Sequence, residues 1–83
     1  MQNAKSPPTP LLKDLSDDAL VTAYWAHRAL AANADNMVKL YVSTGAHGKA
    51  QKAAAMVMKN TRLADIALAL LRRRGVSPVR PAA

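Results

Sequence analysis

Between Ser16 and Arg74 the apolar residues recur at helical spacing, and the run is interrupted once, at Ser43-Thr44-Gly45-Ala46-His47-Gly48. Upstream of the break Leu20, Tyr24, His27, Ala31, Ala34, Val38 and Tyr41 alternate by four and three. That is the repeat of a helix showing one stripe to a neighbour, here with Ala23 and Val42 beside it. Downstream the seam reads Ala53, Met56, Asn60, Leu63, Ala67 and Leu70, flanked by Val57, Ala64 and Leu71. The ends are marked as well. Ser16 is placed to cap the first free amides, Asp17 and Asp18 face the positive end of the helix dipole, and Leu15 can staple onto Leu20. Gly45 offers a left-handed cap, Gly48 eases the second helix in near His47 to Lys49, and Gly75 with Pro78 ends it. Asn60-Thr61 could cap a fresh helix. A solvent-facing Thr inside a continuous helix costs only about half a kcal/mol, however, so no break is required there.

The pattern therefore predicts an all-α fold, an antiparallel two-helix hairpin over 15–75 that dimerises into a four-helix bundle. A Pro-containing arm, 1–14, precedes it and a flexible tail, 76–83, follows, because prolines remove donors and few large apolar residues are present in either. Dimerisation is expected because Leu63, Ile66, Leu68, Leu70 and Leu71 point apolar groups around most of the second helix, whereas a hairpin partner covers one stripe. The interface expected from the pattern comprises Leu20, Tyr24, Val38, Tyr41, Met56, Leu63, Ile66 and Leu70. The competing possibility is that Leu11 and Leu12 of the arm cover the excess within one chain.

Size and composition sharpen this picture. A chain of 83 residues without cysteine has neither a large core nor disulfides, so idealised helix packing or oligomerisation is left to support it. Eighteen alanines, most of them within the two helices, let backbones approach closely. Off the main seam, Trp25 beside Val21 is the candidate anchor for a protein partner, since Trp is enriched among binding hot spots; burial in a homo-oligomer is the other use for it.

Twelve Lys and Arg against five Asp give a net charge of +7, which favours polyanionic partners but is also within the range of ordinary soluble domains. Lys49, Lys52, Lys59 and Arg62 precede Arg72, Arg73, Arg74 and Arg80, and at about 100° per residue the whole set spreads over several faces. The nucleic-acid candidates are accordingly Lys49, Lys52, Arg72, Arg73, Arg74 and Arg80, the cluster at the end of the second helix binding phosphates without reading bases. Catalysis is not expected. The five carboxylates are dispersed, His27 and His47 lack metal-ligand companions, and no context marks an activated nucleophile. No cofactor is implied. Met1 to Pro8 lacks an apolar signal-peptide core, no run approaches the roughly 18 apolar residues of a membrane span, and basic residues do not segregate opposite one apolar face. The expectation is a cytoplasmic, non-enzymatic interaction or regulatory protein that self-associates and binds another macromolecule. Sequence-independent nucleic-acid binding is the alternative, and attachment to a membrane is disfavoured.

Overall fold

The computed structural model describes residues 11–79, and among these it is all-helical. A single 3-10 turn, Leu12–Asp14, leads into helix α1, Asp17–Ser43, which a three-residue loop joins to helix α2, His47–Arg73. The two helices pack against each other as an antiparallel hairpin. Ser16 caps α1 through its side chain, accepting from the Ala19 amide at 3.2 Å. Both helices end in the same device. Gly45 (φ 78°) and Gly75 (φ 69°) take the left-handed conformation. This lets Ala46 N–H reach Tyr41 O at 2.8 Å and Val76 N–H reach Leu71 O at 2.9 Å, the reverse hydrogen bonds that satisfy otherwise orphaned carbonyls. Helix α2 runs without a break through Asn60-Thr61.

The buried row of α1 follows the predicted seam, with Leu20, Tyr24 and Ala34 buried and His27, Ala31, Val38 and Tyr41 half-buried on it. The row of α2 follows it in part, through Ala53, Asn60 and Ala67 but not through Met56, Leu63 and Leu70. Its buried residues are Ala50, Ala53, Asn60, Ala64, Ala67 and Leu71, so the seam passes through Val57, Ala64 and Leu71 and leaves Met56, Leu63 and Leu70 one position aside. The sequence reading favoured the large side chains. Small ones win because the separation of packed helix axes is set by the side chains between them, and alanines allow the closest approach. The resulting core is thin: among the described residues five of the eight buried apolar ones are alanine, and only Leu20 and Leu71 are large and fully enclosed.

One polar pair crosses this seam. His27 Nδ1 lies 2.9 Å from Asn60 Oδ1, and Asn60 Nδ2 donates to Met56 O at 3.0 Å. A histidine on an apolar stripe thus finds its partner across the hairpin, and the mid-helix Asn60, only 4% exposed, has both ends of its amide engaged.

The segments flanking the hairpin close its open end. Leu12, Leu15 and Val76 pack on the cluster formed by Leu20, Tyr24, Ala64, Ala67 and Leu71. Arg74 ties the two ends of the hairpin together: its guanidinium donates to Leu15 O (2.7 Å), Lys13 O (2.9 Å) and the Asp17 carboxylate (3.0 Å). Beyond Gly75, Pro78 O accepts from the Trp25 indole N–H at 3.1 Å. The arm before Leu11 and the end of the tail after Val79 lie outside the described residues.

Because a planar guanidinium reaches two carbonyls and a carboxylate at once, Arg74→Met is expected to lower stability by about 1 to 2 kcal/mol. Asp17 is more than half exposed, so most of this effect belongs to the two carbonyls rather than the ion pair. Arg74→Lys should fail to restore the lost stability, since an ammonium cannot reproduce the fork. A thermal melt of the three proteins checks this; equal Tm values for Lys and Arg would reduce the clasp to a simple charge effect.

Candidate functional site

The alanine seam has a direct consequence for the surface. With α2 rotated so that Ala53, Ala64 and Ala67 face α1, its larger apolar residues are turned onto one flank of the hairpin. Near the loop end this flank forms an open groove of about 370 Å³, floored by Ala34 and Ala53 and walled by Leu30, Met37 and Tyr41 from α1 and Met56 from α2. Leu30 is 47% and Met56 50% exposed. Met56, Leu63 and Leu70 follow one another at seven-residue intervals, so the apolar line continues along the same flank toward the open end. Lys49 and Lys52 stand at the groove's rim, Lys49 Nζ lying 5.9 Å from the centre of the Tyr41 ring, a cation–π contact. The opposite flank is different in character, a more polar depression of about 410 Å³ between Tyr24, Arg28, Ala31, Thr61 and Asp65.

The residues singled out from sequence fall into three groups. Leu20 is fully enclosed and Tyr24 buried within the chain, while Val38 and Tyr41 are half-buried along the α1 seam. Met56, Leu63 and Leu70 occupy the apolar flank, and Ile66, 44% exposed, is turned further outward on α2. Val21 and Trp25 pack against the core cluster, and Trp25 is half-buried. Its ring meets Tyr24 edge-on with centroids 5.0 Å apart, Arg28 stacks 5.3 Å from its centre, and its N–H is committed to Pro78. Much of the indole is therefore used inside the chain, holding the tail. The groove residues Leu30 and Met37 were missed from sequence, although their seven-residue spacing beside the α1 seam was the available signal.

Charge is segregated between the helices. α1 carries two Lys or Arg against three Asp, whereas α2 carries six against one. Arg74 is engaged with the N-terminal segment, Arg80 lies outside the described residues, and Arg72 and Arg73 are exposed. With the register of α2 established, Lys52, Lys59, Arg62 and Arg73 fall within an arc of about 80° at about 100° per residue, centred about 150° from the buried row. All four are exposed, and none joins either ion pair found among the described residues, Lys39–Asp35 and Arg74–Asp17. Lys49, at the groove rim, and Arg72 point elsewhere around the helix.

Among the described residues no three His, Cys, Asp or Glu side chains are grouped to share a metal ion, and no helix is long and apolar enough to cross a membrane. No protein-family model, curated protein or solved structure matches the chain significantly.

Proposed function

We propose that this chain is a small, non-enzymatic cytoplasmic interaction protein that associates with a second copy of itself through the apolar flank and presents the assembled surface to another macromolecule. The observation that supports this most directly is the mismatch between core and flank. A seam built of alanines encloses two large side chains, while Leu30, Met37, Met56, Leu63 and Leu70 line a groove and stripe on one side. Chains of this size need support beyond a single small core, and a second copy supplies it by covering that stripe. The groove is also self-complementary in kind. Its alanine floor is a hole, and the flanking Met56 or Leu30 of a two-fold related copy is a knob of matching chemistry, as in the isologous interface of a four-helix bundle.

The test is association together with stability. Sedimentation of the wild type at micromolar concentration should give a dimer whose Tm rises with protein concentration, as mass action requires. The Leu30→Arg/Met56→Arg double variant should sediment as a monomer, because two further cations would be buried in the interface beside Lys49 and Lys52 although each is solvated in the free hairpin. A wild type that is monomeric, with a Tm independent of concentration, would overturn the proposal.

A further inference from the structure

We infer that the outward face of α2 is a binding surface for the phosphate backbone of duplex nucleic acid, contacted through Lys52, Lys59, Arg62 and Arg73. These four side chains are turned away from the hairpin seam and exposed along about 30 Å of one straight helix at 1.5 Å per residue. The single acidic residue of α2, Asp65, lies at the edge of this face, lining one depression with Tyr24 and Thr61 and another with Met58 and Arg62 without pairing with Arg62. Cations that serve only solubility need no such sorting. Here the surplus is drawn onto one helix, and α1 carries more Asp than Lys and Arg. A row of unpaired cations of this length matches a polymer that presents a negative charge about every 1.7 Å along its axis, and binding gains from release of its condensed counterions. Between the four cations the face offers alanines and one exposed large apolar side chain, Ile66. It has no aromatic group to stack on a base, and its four cations are assigned to phosphate contacts, which carry no sequence information.

This face also fits a phosphate backbone better than an anionic bilayer. Interfacial helices insert a wide apolar face with the cations at its margins, whereas these cations form the middle of the solvent face. The surface belongs to a single chain and does not depend on self-association. If the apolar flank does join two copies, Lys59, Arg62 and Arg73 remain on the outside of the bundle, while Lys52 lies at the rim of the joined groove.

The experiment uses the full chain, a fluorescein-labelled random-sequence 24-base-pair DNA duplex, and anisotropy titrations at two or more salt concentrations. Two variants each remove four charges. One is Lys52→Gln, Lys59→Gln, Arg62→Gln and Arg73→Gln; the other is Lys13→Gln, Lys39→Gln, Lys49→Gln and Arg72→Gln, all at exposed positions off the outward face. Gln has nearly the helix propensity of Lys and Arg, so both should keep the helicity of the wild type, checked by circular dichroism. The wild type should bind with steep salt dependence. The outward-face variant should bind at least about tenfold more weakly at low salt, with a log-log slope shallower by about 0.9 for each phosphate contact removed. The control should lose markedly less. No duplex binding by the wild type at low salt would overturn the inference. So would equal losses in the two variants, which would show a net-charge effect alone, or tighter binding to phosphatidylserine vesicles than to duplex at matched anionic charge.

Discussion

Leu71→Ala is expected to lower the Tm by at least about 10 °C and to remove most of the helical signal near physiological temperature. Among the described residues Leu71 and Leu20 are the only large side chains with no exposed surface. They sit in one cluster at the open end, where both helices, the 3-10 turn and the segment after Gly75 converge. Truncating a buried leucine to alanine costs about 2 to 5 kcal/mol, the spread depending on how far the surroundings collapse into the cavity. Collapse is poor here, because the neighbours Ala64 and Ala67 have no side-chain freedom with which to fill it. A core of this size supplies only about 3 to 5 kcal/mol in total, so one truncation removes most of it. Leu20→Ala should behave alike. Leu40→Ala, at a position 51% exposed on the far side of α1, should change stability by no more than about 0.5 kcal/mol. Melts at one fixed protein concentration make the comparison, and a small effect at Leu71 would mean that stability resides elsewhere than in this cluster.

The helices and their ends were legible because each rests on local chemistry. Ser16 caps α1 as its side chain dictates, and Gly45 and Gly75 take the left-handed conformation that only glycine adopts readily. The seam of α1 was legible too, since its large residues and its buried residues coincide. In α2 they do not. Met56, Leu63 and Leu70 form as regular a heptad line as Val57, Ala64 and Leu71, and periodicity alone cannot say which line faces the partner. The choice is made between helices, where alanine permits an approach that methionine and leucine prevent, and that is invisible in either helix taken singly.

The same one-position ambiguity governed the surface. Angles around α2 carry meaning only once the buried row is known. Measured from the row that includes Ala64 and Leu71, Lys52, Lys59, Arg62 and Arg73 share the outward face, while Arg74 leaves the basic set to clasp Lys13 and Leu15. Trp25 illustrates a different limit. Its position off the seam was readable from sequence, but the oxygen of Pro78 that engages its N–H comes from 53 residues away, through a turn that brings the tail back along α1. Long-range closure of this kind leaves no periodic trace.

Asn60→Ala is expected to destabilise the hairpin by about 1 to 3 kcal/mol, although it removes a polar side chain from a seam otherwise built of alanine and leucine. Asn60 Nδ2 donates to Met56 O, which orients the amide so that Oδ1 faces His27 and must accept from a protonated Nδ1. Truncation strips the half-buried His27 of that acceptor, at a cost that water reaching its N–H reduces. His27→Ala should cost a similar amount by orphaning Oδ1. Replacing both at once, His27→Leu with Asn60→Leu, should recover most of either loss, because removing both polar partners leaves nothing unsatisfied and adds apolar area. The double-mutant coupling should then lie between about 0.5 and 3 kcal/mol. What the pair supplies in return is the rotation of α2: the line through Met56, Leu63 and Leu70 is as regular as that through Val57, Ala64 and Leu71, and the buried polar contact holds with only one of them facing α1. The Leu/Leu variant is therefore expected to show a broadened or doubled amide NMR spectrum, or more than one association state in sedimentation, despite equal or higher Tm. A neutral Asn60→Ala would remove the energetic role of the pair, and a Leu/Leu variant as uniform as the wild type would remove its role in alignment.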